Sequence, residues 1–371
     1  PRSTQGVSSE ASDVYKRQLQ WSTSIGKGDQ SRNRIIAEPI VYNNQIFTVD
    51  SLMVLSATSK KGEILWQKDL TPDGENKGDV SGAGLAAGAG TIFVATAYGL
   101  IHAIDPASGQ TKWTQILLGS GSTRPTYYDG LVYLVSNDES AWAIDARTGR
   151  VNWTLDNFSD VNNLISNTAP SLSEKFAVFG YGSGVVQAVF RQSGLTVWTT
   201  SISGGRSGRA LSIVDDIVSS PVIDGSTVYV ANGSGRITGL NLNSGERLWG
   251  KPFGTVGNIW PAGDSLFLVN DLSQLVRMNK DNGDVIWSVQ LPNFVKVNPK
   301  KSKEVVAHFG PIIAGSKIVL ISSDEKLRVY DPQDGSIISK IEIPGGATSN
   351  PVIANNVLYF VSRKGDLHAF R

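Results

Sequence analysis

The stretch of sequence that decides the fold is SPVIDGSTVYVANGSGRITGLNLNSGERLW, residues 220–249. It contains a proline followed by an apolar run, then further runs of strand-forming residues and a turn that ends in Gly-x-x-x-Trp. That last element occurs six times in the chain, at Gly62/Trp66, Gly109/Trp113, Gly149/Trp153, Gly194/Trp198, Gly245/Trp249 and Gly283/Trp287. Self-similarity of this kind is the signature of a repeat architecture.

The period of the repeat predicts a β-propeller. The starts are marked by seven prolines: Pro39, Pro125, Pro170, Pro221, Pro261, Pro311 and Pro351. They indicate eight repeats of roughly 45 residues, one of them unmarked near Ala86, and this length suits four short strands. A helical solenoid is the competing interpretation, but runs such as TIFVA (residues 91–95) are β-branched and alternate with period 2. We therefore expect an all-β, eight-bladed β-propeller of four-stranded blades.

Each element of the repeat has a mechanical interpretation. Proline lacks a backbone donor and is expected at the first residue of a strand. An Asp or Asn four residues before the turn glycine, such as Asp105 before Gly109, caps a turn in which glycine takes a positive φ. The Trp four residues after that glycine offers a large surface, so we interpret the six tryptophans as packing residues between blades rather than as ligand-stacking residues.

The two ends of the repeat pattern predict how the ring closes. The eighth repeat ends at Phe370 and Arg371, after its third strand, whereas residues 19–25, LQWSTSI, read as an isolated fourth strand with its own Trp21. We expect this N-terminal strand to complete the last blade, because full closure removes exposed sheet edges. In the seventh repeat Ser339 stands where Trp is expected, which predicts weaker packing but a complete blade.

Composition narrows the classes of function. Residues 19–371 are expected to form one domain, and the polar residues 1–18 a disordered tail; SDVYKRQ at residues 12–18 resembles translated adapter sequence. With 34 basic and 33 acidic residues, nothing points to nucleic acid. The chain has no cysteine, which excludes disulfides, thiolate metal sites and a lipid-acceptor cysteine within it. No apolar run reaches membrane-spanning length.

The sequence contains few residues that could form a catalytic site. His102 and His368 occupy the same repeat position, seven residues before the turn glycine, where Gln187 and Arg328 stand in other repeats. A position that tolerates such different side chains indicates a structural role, and His308 has no second histidine near it. No Ser-His-Asp order, zinc spacing or Walker loop is present. We expect no catalytic residue, no cofactor and no metal.

The departures from the repeat lie in the connections between blades. Counted from each Trp to the next marker proline, the connection has 12 residues at Trp113 and Trp249, but 17 at Trp153, 23 at Trp198 and 24 at Trp287. All blades have the same orientation, so these connections share one end of the propeller. The loops after Trp153 and Trp198 enter neighbouring blades and are expected to be adjacent.

These two neighbouring loops mix apolar and charged residues, which predicts a protein-binding patch. The candidate contact residues are Asn162, Leu164 and Ile165 in the first loop and Arg209, Asp215 and Asp216 in the second. The alternative is a pair of long loops that merely cover the surface. The loop after Trp287 is lysine-rich and is expected to be solvated.

The repeats with their N-terminal closing strand resemble the quinoprotein-type (PQQ-like) propellers. Within these, residues 19–371 resemble the BamB family, accessory components of the bacterial outer-membrane β-barrel assembly machine. The resemblance implies a non-catalytic periplasmic scaffold at the inner face of the outer membrane. Its implied partner is a POTRA domain of the central insertase, BamA, and unfolded outer-membrane proteins are a further partner class that it leaves open.

The resemblance extends to the two loops in part. Leu164 matches a family leucine and Asp216 a family aspartate. Ile165 stands where an arginine is usual, and Asn162 where a second leucine is usual. Arg206 and Arg209 are the two candidates to supply the missing positive charge.

Two other classes of function stay open at this point. One is a propeller ectodomain that senses or binds a ligand. The other is a PQQ-dependent dehydrogenase, since enzymes of that class resemble this chain in having eight such blades, with the quinone over the axis, a calcium ion and an Asp base. Most of them carry a vicinal disulfide and long insertions, whereas this chain has no cysteine and is much shorter.

Overall fold

The structure is a computed structural model that describes residues 18–117, 119, 123–156, 168–202, 217, 219–233, 235–255, 257–295 and 304–371. These residues contain 32 strands and no helix. In chain order the strands are β1 (Leu19–Ser24), β2 (Ile40–Tyr42), β3 (Gln45–Val49), β4 (Val54–Ser59), β5 (Ile64–Asp69), β6 (Ala83–Gly88), β7 (Thr91–Thr96), β8 (Leu100–Ile104), β9 (Thr111–Ile116), β10 (Thr126–Tyr128), β11 (Leu131–Val135), β12 (Ala141–Asp145), β13 (Val151–Leu155), β14 (Ser171–Leu172), β15 (Phe176–Gly180), β16 (Val185–Phe190), β17 (Thr196–Ser201), β18 (Val222–Asp224), β19 (Thr227–Ala231), β20 (Ile237–Asn241), β21 (Arg247–Lys251), β22 (Trp260–Ala262), β23 (Ser265–Val269), β24 (Gln274–Asn279), β25 (Val285–Gln290), β26 (His308–Ala314), β27 (Lys317–Ser322), β28 (Lys326–Tyr330), β29 (Ile337–Glu342), β30 (Val352–Ala354), β31 (Val357–Val361) and β32 (Asp366–Phe370).

The strands form eight sheets of four antiparallel strands, so the prediction of an all-β, eight-bladed propeller is confirmed. Blade 1 is β2–β5, and each following blade takes the next four strands, up to blade 7 with β26–β29. Blade 8 consists of β30, β31, β32 and β1. The first strand of a blade lies beside the axis, and the fourth lies at the rim.

The N-terminal strand closes blade 8, as predicted. It pairs antiparallel with β32, with Leu19 opposite Phe370. The pairing continues by one residue, because the Gln18 N–H group donates to the Arg371 carbonyl oxygen at 2.9 Å. The ring is therefore closed by hydrogen bonds between two distant parts of the chain.

Tryptophan side chains join each blade to the next. Seven indole N–H groups donate to a backbone carbonyl in the turn between the third and fourth strands of the following blade: Trp21 to Lys60 (2.9 Å), Trp66 to Pro106 (3.0 Å), Trp113 to Ala146 (3.0 Å), Trp153 to Arg191 (3.1 Å), Trp198 to Leu242 (2.7 Å), Trp249 to Lys280 (3.0 Å) and Trp287 to Pro332 (3.2 Å). Each Trp brings apolar surface and its one donor to the same interface. The interpretation of these side chains as packing residues is confirmed.

The turn glycine of the motif lies under the Trp of the preceding blade. Gly245 has a φ of +70°, and a Cβ atom built on it would lie 2.6 Å from Cδ2 of Trp198. Gly109 is related in the same way to Trp66, with a distance of 2.8 Å to Cε3. Glycine is therefore needed twice here, for its backbone conformation and for the space beside its Cα atom. The Gly and the Trp of one motif contact two different neighbouring blades.

Blade 7 is complete, with Ser339 at the Trp position opposite Val329. The Ser339 hydroxyl is buried and has no hydrogen-bond partner among the described residues. The topology explains why an indole is not needed there. The outer strands of blade 8, β32 and β1, are not consecutive in the chain, so no hairpin turn joins them. A Trp on blade 7 would have no turn glycine to cover.

The marker prolines lie close to their predicted positions. Five of them directly precede the innermost strand of a blade: Pro39, Pro125, Pro170, Pro221 and Pro351. Two differ from the expectation of a strand start, since Pro261 lies inside β22 and Pro311 lies inside β26. An innermost strand has a partner on one side only, so the N–H group that proline lacks is not required by the sheet.

The three histidines lie in three different blades. The Nδ1 atom of His102 is 2.9 Å from Thr114 Oγ1, and the ring of His368 stacks on Phe360 with centroids 4.9 Å apart. Burial lowers the pKa of His102 to about 4 and also lowers the pKa of His308 and of His368. They are neutral side chains in the sheets at pH 7, and the structural role of His102 and His368 stays a prediction.

Gly245→Ala tests the contact beneath Trp198. We expect the free energy of unfolding to fall by about 3 kcal/mol, because alanine is strained at this φ and its methyl group clashes with the indole. Gly225→Ala is the matched control: φ is +59°, but no atom lies within 4 Å of the added Cβ, so only a backbone cost of about 1 kcal/mol is expected. Chemical denaturation measures the free energy of unfolding of both variants. An equal loss in the two variants would contradict the close contact between Gly245 and Trp198.

His102→Gln tests the effect of the buried imidazole on stability, with the residue that Gln187 supplies at the same position of blade 4. Between pH 6.5 and about 4 the unfolded chain binds a proton at His102 that the folded chain does not. The free energy of unfolding is therefore highest above pH 6.5 and falls as the pH is lowered, by about 2 kcal/mol at pH 5 from this residue alone. Chemical denaturation at pH 7.5 and at pH 5 measures the change. Between these two pH values the free energy of unfolding should fall by about 2 kcal/mol less in the variant than in the wild type. Parallel pH profiles would show that His102 is not responsible.

Candidate partner-binding site on the connection face

The two faces of the propeller carry different loops. One, which we name the connection face, carries the connections from the fourth strand of each blade to the first strand of the next, together with the turns between second and third strands. The other, the hairpin face, carries the turns between first and second and between third and fourth strands. Antiparallel pairing of four consecutive strands dictates this division. All connections between blades therefore share one face, as predicted.

The predicted contact residues lie in two loops of the connection face. Asn162, Leu164, Ile165, Arg209, Asp215 and Asp216 are all outside the described residues, so their assignment stays a prediction. The first loop joins β13 of blade 3 to β14 of blade 4, and the second joins β17 of blade 4 to β18 of blade 5. The residues at the ends of both loops are described and show how the loops are held.

The ends of the two loops meet on the connection face. The Ala169 N–H group donates to Ser220 Oγ at 2.8 Å. Slightly further along the same two strands, the Ile223 N–H group donates to Ser171 Oγ at 3.2 Å. The residues that follow the two loops are thus adjacent and hydrogen-bonded to each other, at the starts of blades 4 and 5.

Two buried isoleucines fix the second loop to blade 4. Ile202 and Ile217 are both 0% exposed, and their N–H groups donate to the carbonyl oxygens of Gly184 at 2.8 Å and of Tyr181 at 3.2 Å. Burial raises the pKa of Tyr181, which keeps its hydroxyl protonated as the donor to Gln187. Both ends of the second loop are therefore anchored in blade 4.

A second group of polar side chains crosses the axis beside these loops. Arg124 forms an ion pair with Glu38, and Glu38 accepts a hydrogen bond from Asn350 Nδ2 at 2.7 Å. The same Nδ2 atom is 3.5 Å from Asn258 Oδ1. We name Glu38, Arg124, Asn258 and Asn350 the axial clasp. These residues precede the innermost strands of blades 1, 3, 6 and 8, so the clasp links blades that are not neighbours in the ring.

The axial clasp is bonded to its surroundings on two sides. The backbone N–H group of Arg124 donates at 3.1 Å to the backbone carbonyl oxygen of Thr168, the first described residue after the first loop. Asn350 Oδ1 accepts from the Gly310 N–H group of blade 7 at 2.7 Å. The clasp therefore joins Thr168, at the end of the first loop, to blades 7 and 8 on the other side of the axis.

Sequence reasoning missed the clasp because its members are far apart in the chain. Glu38 is 86 positions from Arg124 and 312 positions from Asn350. A signal was present, since each of these three residues directly precedes a marker proline. That position lies where the chain turns toward the axis, and a polar side chain there meets its counterparts from other blades.

The clasp separates two cavities. The axial channel, of about 920 Å³, is lined by the innermost strands of blades 3–8 and lies on the hairpin-face side of the clasp. A cleft of about 490 Å³ lies on the connection face and extends from Ser219 of blade 5 to Val305 and Phe309 of blade 7. Glu38 and Asn258 line both cavities.

The part of the chain that the structure describes contains no group of three or more His, Cys, Asp and Glu side chains placed to hold a metal ion. It also contains no helix that is long and apolar enough to cross a membrane. The polar groups that meet at the axis are mostly bonded to each other. What the structure offers is a rigid disc with two long loops, a cleft and a channel.

Comparison with known proteins places this fold among its relatives. A family model described as outer membrane protein assembly factor BamB matches residues 50–289. The outer membrane protein assembly factor BamB of Yersinia pestis is 24% identical over 356 residues, which cover 94% of this chain and 88% of that protein. The crystal structure of BamB from Moraxella catarrhalis has a TM-score of 0.76 with this chain at 18% identity, covering 96% of this chain and 99% of that one.

Quinoproteins share the architecture. The quinohemoprotein alcohol dehydrogenase ADHIIG from Pseudomonas putida has a TM-score of 0.65 at 15% identity, covering 97% of this chain and 77% of the enzyme. At such identity the likeness shows the fold alone. The family model, by contrast, matches well over half of the sequence, and the chain therefore belongs to the BamB family of outer membrane protein assembly factors.

Proposed function

We propose that this protein is a non-catalytic scaffold in outer-membrane protein assembly, located on the periplasmic side of the outer membrane. It binds a POTRA domain of a BamA-like insertase through the loops that follow Trp153 and Trp198. Membership of the family supports the role in assembly. The observation that supports the docking site is the shared base of the two loops, where Ala169 is hydrogen-bonded to Ser220.

Rigidity is what such a scaffold needs. A partner that binds a preformed surface loses less affinity to the ordering of loops and side chains. The docking loops emerge between strands whose blades are locked by Trp113, Trp153 and Trp198, and the second loop is anchored by Ile202 and Ile217. The propeller thus holds the ends of the two loops in a fixed relation to each other.

The proposed interface has an apolar centre and a charged rim. Leu164 and Ile165 form the anchor that is buried on binding, with Asn162 beside them. We assign the charged support of the anchor to Asp215, Asp216 and Arg209 in the second loop. An interface of this composition gains most of its affinity from the buried side chains and most of its association rate from the charges.

Leu164→Asp tests the anchor. We expect at least about a fivefold loss of affinity, because removal of a central apolar contact costs about 1–4 kcal/mol. The measurement is calorimetric titration of the chain with the POTRA domains of its insertase. Leu195→Asp is the matched control, since Leu195 is 66% exposed in blade 4 on the opposite, hairpin face, and its affinity should stay within twofold of wild type. An equal loss of affinity in both variants would contradict the proposed site. If Leu164→Asp binds as tightly as the wild type, the binding site lies elsewhere, and the loop after Trp287 is the next candidate.

Asp216→Arg tests the charged rim. We expect the association rate constant to fall several-fold at low salt, with little change in dissociation, because rim charges steer the encounter. The difference should shrink when the salt concentration is raised, since screening shortens the range of these charges. Asp334→Arg on the hairpin face of blade 7 makes the same change in net charge and serves as the control. A loss of affinity that does not depend on salt would contradict a rim position for Asp216.

A further inference from the structure

The axial channel has the dimensions of a small-molecule site. Its volume of about 920 Å³ lies in the range of ligand pockets. The mouth is at the hairpin face, where β10 ends at Tyr128 and β14 ends at Leu172. The floor is the axial clasp. Innermost strands of about three residues make the channel about 10 Å deep.

The walls of the channel are apolar. The innermost strands contribute mainly branched aliphatic side chains: Leu172, Val222, Ile223, Ile313, Val352 and Ile353. All of them are half-buried, so they have surface left that a ligand could cover. Burial of such surface is the main source of affinity for an apolar molecule.

The polar side chains at the floor differ in how many of their hydrogen-bonding groups are occupied. This difference determines which head group of a ligand would bind there. Both carboxylate oxygens of Glu38 already accept hydrogen bonds, one from Arg124 and one from Asn350. Arg124 engages only Nη1 of its guanidinium among the described residues, and the Asn258 side-chain amide engages only its oxygen. A guanidinium has five N–H donors and an amide two. Arg124 and Asn258 both line the channel, and their side-chain groups without a partner among the described residues are donors.

We infer that the axial channel binds an amphiphile with a medium-length alkyl or fused aromatic body and an anionic acceptor head, such as a carboxylate. The apolar body lies along Ile223, Ile313 and Ile353, and the head accepts hydrogen bonds from Arg124 and Asn258. A cationic head is disfavoured there, because the charge of the Glu38 carboxylate is already balanced by Arg124 and each of its oxygens already accepts a hydrogen bond. This inference concerns the hairpin-face side of the disc and is independent of the docking loops.

The test uses the whole chain and a fluorescent probe with an apolar body and a sulfonate head, 1-anilinonaphthalene-8-sulfonate. We expect one saturable site per chain, from which decanoate displaces the probe at least tenfold more effectively than decylammonium does. The absence of a saturable signal would overturn the inference. Equal displacement by the anion and the cation would overturn the assignment of the head group.

Two substitutions place the probe in the channel. Ile353→Trp adds bulk to the channel wall and should weaken probe binding at least tenfold. Ile337→Trp makes the same change on the outermost strand of blade 7, where Ile337 is 54% exposed, and should leave binding unchanged. Equal affinity in the two variants would place the probe elsewhere on the surface and overturn the inference.

Arg124→Gln tests the floor. We expect the affinity for decanoate to fall at least tenfold while the affinity for uncharged decanol stays within threefold, because only the anionic head group loses its positively charged partner. Loss of both affinities in equal measure would show a merely structural role for Arg124 and overturn its assignment. Should Arg124→Gln fail to fold, Asn258→Leu removes the other free donor and should lower the ratio of the decanoate affinity to the decanol affinity; an unchanged ratio would count against the inference.

Discussion

The structure depends on the contact between the Trp of one blade and the turn glycine of the next. A four-stranded sheet by itself leaves both of its faces exposed, and it becomes stable only when neighbouring sheets cover them. The indole does this at the rim, where it covers a glycine with a positive φ and donates to a carbonyl of the same turn. Each contact needs the following blade in place, so the blades stabilise one another in sequence around the ring. The one Trp position filled by another residue, Ser339, faces the one blade without the turn that a Trp would cover.

The sequence predicts this fold well because the repeat is local. Four strands, a turn and a Trp recur within about 45 residues, and the isolated strand with Trp21 identifies the closing pair without any knowledge of long-range contacts. The partners of each motif are harder to predict. Gly245 and Trp249 stand four residues apart, yet the glycine meets Trp198 and the indole N–H reaches Lys280. Spacing along the chain shows that both residues matter, but not that they serve opposite interfaces.

The candidate site was predictable only in part, for the same reason. Loop lengths point to the neighbouring connections after Trp153 and Trp198, and the hydrogen bond between Ala169 and Ser220 shows that their ends adjoin. The residues that matter inside the ring carry no local pattern. Glu38 and Arg124 look like ordinary charged residues before prolines, and their pairing becomes visible only when eight repeats are closed into a circle. Residues at the axis meet across the ring, whereas residues at the rim meet only the next blade.

The axial clasp has a mechanical consequence. A ring whose members are joined only to their neighbours can be flattened, because a small change of angle at every contact adds up to a large change of shape. A chain of bonds that crosses the axis opposes that change. The bonds of Glu38 to Arg124 and to Asn350 form such a chain, which joins the starts of blades 3, 1 and 8. Since the Arg124 backbone is also bonded to Thr168, a force applied to the docking loops is carried to the opposite side of the disc rather than absorbed by one blade. The protein can thus be held at one edge and still keep its circular outline.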